Sequence, residues 1–390
     1  MTRRNAPVGQ TIAFCGLPIL TALVLAGCGS PERVPLWPGS KYTEADKSKA
    51  MLRALDYIDR TARVPKGFAA QASDYTYCFY SIAATAREPE LRAAAARLAR
   101  VYAKRWAEME ASIPVDATSD DVADMIFGWL PASLLGESDA RIKPALARAA
   151  ARFTVIDYLL FDPAKEPPPS DIPADCQYDS AHNPRGATVC RKCGRPLHMR
   201  TKYDVWMDAL IATYTGDRYG IPLGASYRDV LQWMPAMRPY LKLTQTSRRN
   251  FLDTLYALTH VVYTLNDYGK YLLPRDLLPQ EFAYLKANLG AAIALHDPET
   301  MGEFLDTLKG FGLNGSDEVI RTGITYLLDT QGPDGTWGDP KEKDTYTLYH
   351  SAWTAIDGLK DCRWQGEGLS FPQVRPLLDS MRQPPPAPPL

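Results

Sequence analysis

Apolar residues return every three or four positions along most of this chain, and almost nowhere do they alternate. Met51, Leu52, Leu55 and Ile58 follow that spacing, with Thr43 as an N-cap before Glu44, and predict a helix over 43–63. The Ala-, Leu- and Arg-rich run 88–110 consists of strong helix formers. The same reading predicts helices at about 68–86, 118–136, 139–161, 201–217, 226–241, 247–268, 278–296, 299–311, 315–330, 345–360 and 371–382. Alternating β-branched runs bounded by turns are nearly absent, so the predicted fold class is all-α. Two stretches break the pattern. Residues 162–175 carry Pro163, Pro167, Pro168, Pro169 and Pro173 and cannot be helical. The tail 383–390 holds five prolines in eight residues, an extended and solvated end.

The amino terminus follows a different rule. Arg3 and Arg4 precede an uncharged run, Thr11 to Gly27, that ends in Leu25-Ala26-Gly27-Cys28. Small residues before a cysteine at the end of an apolar run resemble the lipobox of bacterial lipoproteins. That resemblance implies cleavage of a signal peptide (1–27), lipid on Cys28 and a membrane-anchored chain. The apolar run is short and broken by Pro18, which argues against a spanning helix. Gly29 and Ser30 offer no acidic retention signal, so the expected place is the cell envelope, with the outer membrane favoured. A tether (28–40) then leads to 41–161, a proline-rich linker with a cysteine cluster (162–200), and 201–382. Lysine and arginine number 44 against 45 acidic residues, a formal charge of −1, so nothing favours nucleic acid as a partner.

One motif carries a hint of architecture. Gln331-Gly332-Pro333-Asp334-Gly335-Thr336-Trp337 follows the helix that ends near Thr330. Gln at a helix C-terminus can bond the next turn, Asp-Gly supplies a tight turn, and the indole lids the helix end. The pattern resembles the repeat of squalene–hopene cyclases and protein prenyltransferase β-subunits. It implies an α/α toroid of about six helical hairpins around a central cavity. Tyr346, Tyr349, His350 and Trp353 follow on the next helix, in a segment resembling the one where prenyltransferases place a zinc-ligating histidine. The cyclase Asp-x-Asp-Asp proton donor and the prenyltransferase Asp-x-Cys pair are both missing, so neither isoprenoid reaction carries over.

Cys176 and Asp179, ten residues, then Cys190-Arg191-Lys192-Cys193-Gly194 resemble a short zinc ribbon in which Asp179 replaces the second cysteine. Zinc accepts carboxylate oxygen, so Cys176, Asp179, Cys190 and Cys193 make a workable structural set, with His182 as the competing fourth ligand. A redox-active Cys190–Cys193 pair, or a remnant that binds nothing, remain open alternatives.

Two helices carry polar-aromatic stripes at one residue per turn. Asp253, Tyr256, His260, Tyr263 and Asp267 form one; Tyr346, His350, Trp353 and Asp357 form the other. Tyr203, Trp206 and Tyr214 resemble them. His260, His350, Tyr346 and Asp267 are the candidate catalytic residues, with histidine as general base or metal ligand. Buried packing histidines are the competing reading. Glu303 is a further carboxylate that an exposed helix-start position explains equally well. The expected function is an envelope protein whose cavity binds or processes a glycan, peptide or lipid-like ligand; the alternative is a non-catalytic scaffold lipoprotein.

Overall fold

The computed structural model describes Trp37 and residues 41–382; Cys28, the signal and tether expected around it, and the tail 383–390 lie outside the described residues. The 3.6-residue spacing becomes helix nearly everywhere it was read, and the described residues show isolated bridges but no strand. The first half runs α1 (Glu44–Arg63), α2 (Pro65–Ala70), α3 (Ala72–Thr85), α4 (Pro89–Met109), α5 (Ser119–Leu134), α6 (Ile142–Ala150) and α7 (Val155–Leu159). After the proline-rich insert come α8 (Lys202–Tyr219), α9 (Tyr227–Leu231), α10 (Met234–Met237) and α11 (Arg248–Leu265). The chain ends with α12 (Pro279–Ala294), α13 (Pro298–Gly310), α14 (Glu318–Thr330), α15 (Thr345–Leu359) and α16 (Arg375–Met381).

Where predicted helices proved shorter, capping chemistry explains the break. The 139–161 run splits because Thr154 starts a new helix: its hydroxyl accepts the Asp157 N–H while the Asp157 carboxylate takes the Thr154 N–H and hydroxyl. Ser226 and Asp229 repeat that arrangement at α9, and Pro235 opens α10, dividing the 226–241 run. Pro65 at the start of α2 moves the 68–86 element forward, and Gln71 separates α2 from α3. Thr43 caps α1 as read.

Packing joins helices in a definite order. α3 packs on α5, α5 on α8, α8 on α11, α11 on α13, α13 on α15, and α15 back on α3. The other helices back these: α4 lies on α3 and α5, α9 on α8, α12 on α13, α14 on α13 and α15, and α1 on α15. The closest approach is between α13 and α15. A Cβ on Gly302 would fall 2.4 Å from the Thr354 carbonyl oxygen, and one on Gly358 would fall 2.8 Å from the Gly302 Cα. Two glycines at that crossing let the backbones touch, which brings the first turn of α13 against the second turn of α15.

The Gln331–Trp337 segment does what its chemistry suggested, and more. The buried Trp337 indole donates to the Leu327 carbonyl at 2.8 Å, closing the end of α14. Gln331 reaches back 281 positions to donate to the Ala50 carbonyl of α1 at 2.9 Å, and Arg53 donates to its amide oxygen. The motif therefore joins the late hairpin to the first helix. No described helix is long and apolar enough to cross a membrane.

Candidate functional site

Polar groups from the N-terminal halves of α3, α5, α8, α13 and α15 lie close enough to act on one another. From α15, Tyr346 stacks on His350 at 5.1 Å between ring centroids, and His350 meets Trp353 edge-on at 5.8 Å. His350 Nδ1 lies 3.1 Å from Glu299 Oε1 of α13, and the imidazole keeps 18 % exposure. Glu299 also accepts from Tyr256 of α11 and Ser351 of α15, each at 3.3 Å. Burial by itself would depress His350, but the Glu299 carboxylate, helped by Glu303 and Asp74, raises it to about 9. Burial acts against Glu299 ionising too, yet the His350 charge and three hydrogen bonds hold its carboxyl below the ordinary value. The two form a buried ion pair at neutral pH.

One turn along α13, Glu303 behaves oppositely. It is 2 % exposed, its Oε2 accepts the Thr259 hydroxyl at 2.5 Å, and burial next to the Glu299 charge pushes it up to about 8. At pH 7 it carries its proton. An exposed helix-start role is thereby ruled out. His260 sits against the same wall: burial, then the charge on His350, depresses it to about 4, so it is neutral. Its Nδ1 is 2.8 Å from the Tyr256 carbonyl. A carbonyl can only accept, so Nδ1 bears the hydrogen and Nε2 keeps its lone pair.

Three further carboxylates complete the set, and sequence reading missed them. Asp74 of α3 accepts from the Tyr349 hydroxyl at 3.3 Å and is raised by burial. Asp124 of α5, bonded by Ser73, is pushed by burial to about 7. Asp208 of α8, paired with Arg200, is likewise raised to about 7 by burial, which outweighs its partner. Tyr346 is raised first by burial and then by Asp74, Glu299, Glu303 and Asp208, so carboxylates from three helices act on one phenol. Asp74, like Glu299, stands in the first turn of its helix, where a carboxylate ordinarily complements the helix dipole. Recurrence of first-turn acids could have flagged Asp74 and Glu299, but at α5 and α8 it would have chosen Asp120, Asp121 and Asp204 instead.

His260, His350 and Tyr346 thus come together; Asp267 does not join them. It lies beyond the C-terminal end of α11, accepting from Tyr214 at 2.6 Å and pairing with Arg218 at 3.0 Å and Lys270 at 3.2 Å. Asp253 binds Thr201, and Asp357 pairs with Lys360, both away from the histidines. Tyr203 and Trp206 bond the Met237 and Val230 carbonyls and are packing residues of the α8–α10 layer.

The cysteine cluster is assembled as its spacing suggested. The ligand atoms of Cys176, Asp179, Cys190 and Cys193 all lie within 4.8 Å of one another. Cys176 and Cys193 sulfurs are 3.5 Å apart, and the Cys190 sulfur lies 3.6 and 3.7 Å from the Asp179 oxygens. A tetrahedral zinc with Zn–S near 2.3 Å needs edges of about 3.7 Å, so the group could hold a metal ion of that size. Asp179 Oδ1 accepts the Ala181 N–H at 3.0 Å, which orients the carboxylate, and the Lys192 N–H points at the Cys190 sulfur at 3.4 Å. His182 stands outside that group, and its Nδ1 faces Asp175 at 2.7 Å. Arg200, at the end of this insert, pairs with Asp204 and Asp208 at the start of α8, so the insert abuts the acid-lined end of the helices.

Comparison of the chain with family models, curated proteins and solved structures finds no match.

Proposed function

We propose that α3, α5, α8, α11, α13 and α15 form the inner ring of an α/α toroid, with α1, α4, α6, α9, α12 and α14 among the outer helices. The cyclic order of packing and the bond from Gln331 to α1 support this. In this reading the ring's bore is an acid–base site for a glycan, and the chain is held in the cell envelope by lipid on Cys28. Zinc on Cys176, Asp179, Cys190 and Cys193 would pin the insert beside the mouth of the bore as a structural site, since four protein ligands leave no open position.

The observation that carries the reading is the divergence of Glu303 and Glu299. Two carboxylates one turn apart are driven to opposite protonation states, one held neutral by burial and one held ionised by His350. Environments that push neighbouring acids apart are how one site obtains a proton donor and a fixed charge at neutral pH. Glu303 then protonates the departing glycosidic oxygen as its C–O bond breaks, and the water that adds to the sugar carbon returns a proton to the Glu303 carboxylate. His350 and Glu299 orient ligand hydroxyls, and the free Nε2 of His260 accepts a hydrogen bond from one. Tyr346 and Trp353 supply the flat faces on which sugar rings lie.

The test is a screen of oligosaccharides for binding and cleavage by the intact chain, by Glu303→Gln and by His350→Ala. Glu303→Gln is expected to lose at least about 100-fold in turnover while still binding ligand, the usual worth of a general acid. His350→Ala should weaken binding. Turnover or binding unchanged in both folded variants would overturn the reading, as would failure of every glycan to bind.

A further inference from the structure

The far end of the same bore is differently built. Between the C-terminal parts of α3, α5 and α8 and the turn after α11 lies a cavity of about 160 Å³, walled by Tyr77, Tyr80 and Tyr268 and reached by Arg218, Lys270 and Arg363. Three cations meet a single carboxylate there. Asp267 already answers two of them, Arg218 at 3.0 Å and Lys270 at 3.2 Å. Cations at helix C-termini ordinarily complement the dipole, and that accounts for Arg218, which sits in the last turn of α8. Arg363 also lies at a helix C-terminus, that of α3, but differs from Arg218 in having no carboxylate partner among the described residues. This side chain comes from the loop after α15 and is exposed, and among the described residues it makes no ion pair or hydrogen bond. Its backbone N–H is nevertheless fixed on the Thr85 carbonyl at 2.7 Å, which plants the residue at the rim.

A chain of aromatic contacts links the cavity's lining to the acid–base cluster. Trp353, in contact with His350, lies 6.4 Å from Tyr77, and Tyr77 lies 5.1 Å from Tyr268. Asp74 at one end of α3 and Ser81 at the cavity are seven residues apart on one helix, about 10 Å along its axis. A ligand laid along this aromatic wall would meet carboxylates at one end and guanidinium and ammonium groups at the other.

We infer that the basic end is a subsite for an oxyanion carried by the ligand, so that the glycan taken by the bore is an acidic one. The inference rests on the glycan reading above and narrows its substrate class. Arg363, with Lys270 beside it, receives the oxyanion, while Asp267 holds Arg218 and Lys270 in place. Charge-assisted contacts to a planar guanidinium distinguish an acid from its neutral ester.

Calorimetric titration of the full chain with hexagalacturonate, and with the same oligosaccharide methyl-esterified, tests this. The acid is expected to bind about ten-fold more tightly than the ester, and Arg363→Ala should bring the two within about two-fold without moving the melting temperature. Inorganic phosphate should compete with the acid in the parent and not in Arg363→Ala. Equal affinity for acid and ester, or a preference that survives Arg363→Ala, overturns the subsite. Glu303→Gln separates the two proposals. Loss of turnover with the acid preference kept supports both. Turnover unaffected by that change, alongside a preference that Arg363→Ala abolishes, removes the general acid and leaves the basic subsite standing.

Discussion

Glu303→Gln is also the sharpest probe of the fold's electrostatics, because it replaces a protonated carboxyl by a neutral amide of nearly the same shape. The side chain titrates at an ordinary 4.5 in the unfolded chain and at about 8 in the folded one. Between those values folding takes up a proton, so this group costs stability increasingly as pH rises from 4.5 through about 8. At 1.36 kcal/mol per tenfold change in proton affinity, the whole displacement is worth roughly 5 kcal/mol. The part falling between pH 5 and pH 8 is roughly 3–4 kcal/mol. Gln carries no such linkage. The variant should therefore gain on the parent by that amount over the interval, whatever constant cost its amide adds next to Thr259. For a chain of this size that is about 4–5 °C in melting temperature. His350 works in the other direction: its stabilisation is present below 6.5 and lost as pH rises through about 9. It is common to both proteins, and the part of it owed to the Glu303 charge is absent while Glu303 keeps its proton, below about 8. Urea unfolding of both at pH 5 and pH 8 measures the quantity directly. An offset between variant and parent that is the same at both pH values would show that Glu303 titrates normally, and the general-acid assignment would fall with it.

Purified protein should carry about one equivalent of zinc, and Cys190→Ser should remove it and loosen the 162–200 insert. Absence of metal in protein prepared without chelator, with Cys190 and Cys193 oxidised, would favour the disulfide instead. Gly335→Ala should destabilise the chain by at least about 2 kcal/mol, because the residue sits at φ +97° and its Cβ would lie 2.4 Å from the Arg53 carbonyl oxygen. A melting temperature unchanged by that substitution would deny that the 331–337 turn clamps α1. Cys28→Ala should leave the chain unlipidated and move it from the detergent phase to the aqueous phase; partitioning that ignores the change would refute the anchor.

Helices were legible from the sequence because their signals are local. Apolar spacing reports one face of one helix, and Thr43 with Asp46 is a capping pair readable over four residues. The proline-rich interruption at 162–175 and the Cys-x2-Cys spacing at 190–193 are local in the same way, and both survive intact in the folded chain. The breaks at Thr154 and Ser226 were readable by that rule as well, since each has aspartate three residues on, but continuing apolar spacing concealed them. His350 was legible because it follows the Gln331–Trp337 turn on a helix with aromatic residues one turn to either side.

Its partners were not. Glu299 and Asp74 occupy first-turn positions where an acid is ordinarily a solvated complement to the dipole, and nothing within several residues of either says otherwise. Their character comes from which helices close over them: Glu299 is ionised because His350, 51 positions later, lies against it, and Glu303 is neutral because α11 and α13 together exclude water. Protonation is decided by desolvation and by charges brought near through space, and both are sums over neighbours distant in the chain. Periodicity could say which residues share a helix face. Only the packing of α13 on α15 through Gly302 and Gly358 could say that the face would be dry, and which of its acids would keep a proton.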